Sequence, residues 1–180
     1  MRTYTVSQQR SDEIAIDFAL HGAQGPASMW AQNARAGDQI SLAGPGPKKL
    51  INLDADWFLF AGDMTALPSI AVNLKQLPSD ALGYVVIEVV SEADIQSLTA
   101  PENIEIHWVI NTRATTHKQP ILERIKQLSW LPGEAAVWAA CEFQCMRELR
   151  AYFKQERQLP KSHLYISSYW KSGNTEDQHK

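Results

Sequence analysis

The stretch WFLFAGDMTALP, running from Trp57 to Pro68, decides the fold. Trp57 to Ala61 is a short unbroken apolar run, which reads as a strand covered on both faces, as in a parallel sheet. Gly62 ends the run, and Pro68 falls in the first turn of a helix expected over about Ala66 to Leu77. Working outward, the same alternation of apolar run and helical segment repeats. Further strands are expected at Tyr84 to Val90, Ile104 to Val109, Ala135 to Ala140 and Leu164 to Ser167. The intervening helices are expected near Glu92 to Leu98, over Pro120 to Leu128 and over Glu142 to Glu156. In the last of these, Phe143, Met146, Leu149 and Phe153 recur at helical spacing and form an ordinary core stripe. Five strands joined by crossover helices make a doubly wound α/β unit, whose ligand edge lies at the carboxyl ends of the strands. The loop Ala61 to Pro68 stands at that edge, where backbone N–H groups and a helix dipole can receive a phosphate or the approach of a flat ring. The G-x-G-x-x-G fingerprint is absent, so the loop by itself is equally a capped helix.

Upstream the pattern changes. Residues 3 to 9 and 13 to 20 alternate apolar with polar, as half-buried antiparallel strands do, and a third strand, Gln39 to Leu42, is expected after the Gly37-Asp38 turn. Gly25-Pro26-Ala27-Ser28 leads into a short helix that ends before Gly37. Gly44-Pro45-Gly46-Pro47 interrupts regular structure and marks a boundary, giving an antiparallel β unit over residues 1–50 and an α/β unit over 51–180. The 180 residues are 44% hydrophobic and 21% charged, which is globular composition, and the formal net charge of -3 leaves no basic field for nucleic acid. MRTYTVSQQR has no apolar signal region and no segment approaches a membrane span, so a cytoplasmic protein without nucleic-acid or membrane partners is expected. Cys141 and Cys145 stand four apart in a helical segment and read as reduced packing residues.

Four constellations could carry chemistry. The first is the loop Gly62 to Pro68. In the second, His21-Gly22 with Gly25-Pro26-Ala27-Ser28 is a small-residue loop entering a helix, able to receive a pyrophosphate. In the third, Arg2-Thr3-Tyr4-Thr5 offers a cation, an aromatic face and a hydroxyl on one strand. In the fourth, Tyr169-Trp170-Lys171-Ser172-Gly173 is expected just past the last parallel strand, as exposed aromatics beside a cation. The pair Lys48-Lys49 reads as solvated, and the P-loop spacing is not met around it.

Taken in order, these segments resemble the siderophore-interacting protein family, flavin-dependent ferric-siderophore reductases of the ferredoxin-reductase superfamily. The matching residues are R-T-Y-T (Arg2 to Thr5), L-H-G-x-x-G-P-A-S (Leu20 to Ser28), G-D-Q-I (Gly37 to Ile40), A-G-D-M-T-A-L-P (Ala61 to Pro68), and W-A-A-C-E with S-Y-W-K-S-G toward the end. The resemblance implies a partial antiparallel β-barrel of the FAD-binding type followed by a five-stranded parallel α/β nicotinamide-binding domain. The chain starts at the family's R-x-Y-T segment, so the earlier barrel strands are expected to be missing. By the same resemblance Arg2 would hold the flavin pyrophosphate, Tyr4 would pack on the isoalloxazine and Thr5 would hydrogen-bond its reactive edge. His21, Gly25, Pro26, Ala27 and Ser28 would complete the FAD site. Gly62, Asp63, Thr65, Ala66 and Pro68, with Cys141 and Glu142, would line the nicotinamide pocket, and Tyr169, Trp170 and Lys171 would close over the flavin. Met64, Cys141 and Ser168 differ from the residues usual in the family, the last two placing a side chain where glycine would leave space. The implied activity is NADPH- or NADH-dependent reduction of a ferric siderophore by a monomer, with Thr5, Trp170 and Lys171 nearest the chemistry. The other reading is a truncated homologue that binds nicotinamide nucleotide or ferric chelate without turnover. Lys171, and behind it Lys48 or Lys49, is expected to attract the anionic chelate, and Arg113, near Lys118, to receive the 2′-phosphate of NADP.

Overall fold

A computed structural model describes residues 3–20, 25–112 and 119–173. Strand β3 (Trp57–Asp63) is buried along nearly its whole length, as its apolar run requires. It lies at the centre of a five-stranded parallel sheet with β4 (Leu82–Val89), β5 (Asn103–Ile110), β6 (Ala135–Glu142) and β7 (Leu164–Trp170), in the order β5-β4-β3-β6-β7. The chain therefore builds outward from β3 to β5, then crosses back to place β6 and β7 on the other side. The carboxyl ends of β3 and β6 are neighbours at that reversal, the position where open α/β sheets bind ligands. In register, Gly62 lies opposite Ala140 on one side and Asp63 opposite Glu88 on the other.

Alternate side chains of the strands feed two apolar layers. On one face, α2 (Leu67–Leu74) sets Ile70 and Leu74 against Phe58, Phe60, Val85, Ile87 and Trp138. On the other, α3 (Pro120–Gln127) and α4 (Phe143–Ala151) cover Trp57, Leu59, Val86 and Val137 with Ile121, Ile125, Met146 and Leu149. The helix expected from Glu142 to Glu156 is α-helical only to Ala151, and Tyr152–Glu156 continues as a wider π turn. The helix expected near Glu92 to Leu98 is a single 3-10 turn, Glu92–Asp94, held by a reciprocal Ser91–Asp94 capping box.

The N-terminal part is smaller. Strands β1 (Val6–Gln9) and β2 (Ile14–Ile16) form an antiparallel pair, and α1 (Pro26–Asn33) follows. The third strand expected over Gln39 to Leu42 is not one: these residues are irregular, with Ile40 and Leu42 55% and 62% exposed. Alternation marks a strand only where a neighbour supplies the ladder bonds, and this segment has no such neighbour among the described residues. The connecting segment is instead tied down one bond at a time. The Lys49 carbonyl accepts the Trp138 indole N–H at 2.8 Å, and the Ile51 N–H donates to Asn73 Oδ1 at 2.8 Å. No helix among the described residues is long and apolar enough to cross a membrane.

Candidate functional site

At the carboxyl edge of the sheet, Asp63 gathers donors from three strand ends. Its Oδ1 accepts the Thr65 N–H at 2.9 Å and the Thr65 hydroxyl at 2.5 Å. Its Oδ2 accepts the Glu142 N–H at 3.0 Å and the Trp170 indole N–H at 2.8 Å. Burial pushes the Asp63 carboxyl above the ordinary carboxylate range, and the hydrogen bonds from Thr65, Trp170 and Glu142 pull against it. Opposite Asp63, Glu88 accepts the Asn111 side-chain amide at 2.9 Å. Its pKa is likewise raised by burial, and further by Asp63, while Asn111 lowers it.

Glu142 closes the end of β6 and opens α4. One carboxylate oxygen caps the Gln144 and Cys145 N–H groups, and the other accepts the Ser172 N–H at 3.1 Å. This satisfies donors that a helix start leaves unpaired and holds the segment after β7 across the edge. Lys171, in that segment, sets its ammonium 5.0 Å from the centre of the Phe143 ring.

Gly62 has an internal reason to be glycine. A Cβ there would stand 2.7 Å from both the Ala140 carbonyl oxygen and the Ala66 Cβ, so the residue lets β3, β6 and the start of α2 close together.

On the α2 face of the same edge, the segment just before β1 meets the α/β unit. Thr5 Oγ1 lies 2.6 Å from Ser69 Oγ, and Ser69 Oγ lies 3.1 Å from the Tyr169 hydroxyl. Tyr169 also packs edge-on against Trp138, with ring centres 6.4 Å apart. Burial raises the Tyr169 phenol pKa, the Ser69 hydrogen bond lowers it, and Tyr165 and Asp63 raise it further. Beside Thr5, the Tyr4 ring is 40% exposed and packs at 4.5 Å on Phe18, which in turn lies 6.0 Å from Trp30 of α1.

The residues fit a flavin nucleotide. Tyr4 presents part of an aromatic face, and Thr5, next to it just before β1, presents a hydroxyl. Helix α1 opens at Gly25-Pro26 with no side-chain cap and no acidic residue in its first turn, which leaves its N-terminus suited to phosphate. Ser28 is buried in that turn.

The structure thus brings Thr5, Asp63, Thr65, Glu142, Tyr169, Trp170 and Lys171 to one edge, with Ala66 and Pro68 at the start of α2. It corrects two expectations. Tyr169 and Trp170 belong to β7 itself and are half-buried, because their hydroxyl and indole N–H are engaged by Ser69 and Asp63. Cys141 is 1% exposed and packs in the layer beneath α3 and α4, where hydrogen bonding to Cys145 and burial raise its thiol pKa; it offers the edge no side chain. Cys145 is buried too, and both thiols are free. Ser168 turns its hydroxyl to the Trp170 carbonyl at 3.0 Å, and Met64 packs partly buried against the α2 layer. Arg2, His21, Arg113 and Lys118 lie outside the described residues. Ser69 is the residue that sequence reading missed: it was one more polar residue in a helix, and its partners are 64 and 100 residues away.

An antiparallel unit is thus set against the ligand edge of a 3-2-1-4-5 doubly wound sheet, with an aromatic and a hydroxyl at the junction. The chain belongs to the siderophore-interacting protein family. The pattern defining that family, described as "Siderophore-interacting protein", matches residues 55–173, and that of the "Siderophore-interacting FAD-binding domain" matches residues 1–49. The chain is 37% identical over 182 residues to the ferric vibriobactin reductase ViuB of Vibrio cholerae, across 98% of this chain and 66% of that protein. It is 32% identical over 176 residues to the ferric acinetobactin reductase of Acinetobacter baumannii, across 96% of this chain and 61% of that protein. The solved siderophore-interacting protein of Acinetobacter baumannii superposes with a TM-score of 0.90 at 30% identity, covering 99% of this chain and 72% of that one.

Proposed function

We propose that the chain is an oxidoreductase that reduces ferric iron held in a siderophore, using FAD and NADPH or NADH, so that the weakly held Fe(II) leaves the chelate. The observation that carries this reading is the junction of Thr5 with Ser69 and Tyr169, where the segment matched to a FAD-binding domain touches the edge at which a doubly wound sheet receives a nucleotide. The names of the reductases from Vibrio cholerae and Acinetobacter baumannii support the substrate class. When bound, the flavin supplies the exchange between a two-electron hydride donor and one-electron acceptors.

The protein's part is to bind, orient and exclude water. Tyr4 would stack on the ring and Thr5 would bond its reactive edge, while the N-terminus of α1 from Gly25 to Ser28, with Arg2 and His21, would take the pyrophosphate. Residues 62 to 68 and Glu142 would receive the nicotinamide, with Asp63 keeping Glu142 and Trp170 in place. Trp170 and Lys171 would close the site, the ammonium facing an anionic chelate. The test is to load the chain with FAD, remove free flavin, and follow NADPH- and NADH-dependent formation of Fe(II) from a ferric catecholate with a Fe(II)-specific dye. We expect flavin retention and turnover that both need the full chain. Retained nucleotide or chelate with no FAD uptake and no Fe(II) would instead establish a binding protein.

A further inference from the structure

Thr5, Ser69 and Tyr169 form an unbroken chain of three hydroxyls, with oxygen separations of 2.6 Å and 3.1 Å, from the residue just before β1 through α2 to β7. Ser69 is 7% exposed, and no charged group is a member of the chain. A hydroxyl carries one hydrogen and two lone pairs, so each link can point in either direction, and reversing all of them moves one proton from end to end. A buried helical serine is ordinarily satisfied by a carbonyl of its own preceding turn. Ser69 is placed between two hydroxyls from other elements instead.

The proposed reaction creates a need for such a path. NAD(P)H and two Fe(III) give NAD(P)⁺, two Fe(II) and one H⁺. The hydrogen arrives with both electrons as hydride; after one electron has gone to each iron, it is left as a proton that must reach solvent. We infer that Thr5, Ser69 and Tyr169 conduct that proton outward. Thr5 Oγ1 accepts it while its own hydrogen passes to Ser69 Oγ, the Ser69 hydrogen passes to the Tyr169 oxygen, and the phenol hydrogen passes to water. Each oxygen gains one O–H bond and loses one, so the chain ends neutral with its links reversed. Thr5 is the member that would touch the cofactor, and Ser69 and Tyr169 act through it as positioning residues. The raised phenol pKa of Tyr169, to which burial, Tyr165 and Asp63 contribute, keeps that hydroxyl protonated at neutral pH, as a neutral relay requires.

The inference rests on the reading of FAD held against Thr5, and the experiment separates the two. In flavin-free protein, tyrosinate absorbance is titrated in wild type and Ser69→Ala, with Tyr169→Phe assigning the phenol; loss of the Ser69 hydrogen bond should raise the Tyr169 midpoint. In FAD-loaded protein, anaerobic hydride transfer without iron is compared with steady turnover on a ferric chelate. Ser69→Ala and Tyr169→Phe should each slow turnover on the order of tenfold with a larger solvent isotope effect, and imidazole should restore the rate in proportion to its concentration. Hydride transfer, measured at saturating FAD, should lose much less than steady turnover in each variant. An unmoved tyrosine midpoint, unchanged turnover, or equal loss in both reactions overturns the relay while leaving the reductase reading intact. A wild-type chain that takes up no FAD overturns that reading, and the relay with it. If Ser69→Ala does not fold, Tyr169→Phe alone decides between these outcomes.

Discussion

Asp63 accepts four hydrogen bonds through two oxygens, and its three partners come from the loop after β3, the end of β6 and the end of β7. Its place in a glycine loop at the strand end was legible from sequence, but its task was not, since Glu142 and Trp170 are 79 and 107 residues away. In Asp63→Asn, the amide NH₂ must face either the Thr65 donors or those of Glu142 and Trp170, leaving donors unmatched. A loss of about 1 to 3 kcal/mol is expected, from the cost of unsatisfied buried polar groups. Trp170 fluorescence should shift as the indole loses its acceptor. The pH dependence has a definite sign. The folded pKa of Asp63 lies above its unfolded value, so the native state takes up the proton first as pH falls. Ionised Asp63 therefore costs stability, and urea unfolding from about pH 7 down to pH 4 should show wild type gaining on Asp63→Asn as the carboxyl protonates. The opposite slope would mean that the four hydrogen bonds outweigh burial.

The parallel strands could be read from sequence because burial on both faces leaves an unambiguous apolar run, as in WFLFA and AAVWAA. Helix ends were harder. The chain from Glu142 to Glu156 has one helical pattern, yet the backbone widens after Ala151, where Tyr152 and Phe153 both enter the core. The expected strand at Gln39 to Leu42 failed for the reason that half-buried strands generally do: alternation is local, and the partner that would confirm it is not. Gly62 shows a third limit. Sequence reading left it open between a capped helix and a ligand loop, and gave no sign that the nearest objects to its missing side chain are the Ala140 carbonyl and Ala66. Since that carbonyl belongs to β6, an interior strand paired on both sides, and cannot swing aside, Gly62→Ala should cost about 1 to 3 kcal/mol by overpacking. Gly46→Ala, with nothing within 4 Å of the added carbon, should leave the thermal midpoint nearly unchanged. Equal shifts for the two variants would show that backbone entropy, not the strand–helix approach, explains the glycine.

The two parts of the molecule differ in how they are stabilised, and that difference bears on the cofactor. The five-stranded sheet is covered on both faces, with Trp57, Phe60 and Trp138 inaccessible to solvent. The β1–β2 pair has strands of four and three residues and leaves Val6 and Ile14 36% and 44% exposed. A two-stranded ribbon is marginal alone; here β1 packs on α2, Thr5 just before it hydrogen-bonds Ser69, and the Lys49 and Ile51 bonds secure the connecting segment. Native-state hydrogen exchange should therefore show the amides of β1, β2 and α1 opening at a much lower free energy than those of β3 and β6, with little dependence on denaturant, as local openings do. A ligand that binds only the closed form stabilises it by RT ln(1 + [L]/Kd), about 2.7 kcal/mol at a hundredfold excess over Kd. FAD at that excess should slow exchange in β1 and α1 by up to about a hundredfold, and in β3 and β6 by no more than the same factor, since every opening that releases the flavin is opposed equally. If β1 and β3 exchange with the same free energy in the absence of FAD, the N-terminal unit is part of one cooperative core. If FAD protects β3 but not β1, the flavin does not sit where Tyr4, Thr5 and the N-terminus of α1 place it.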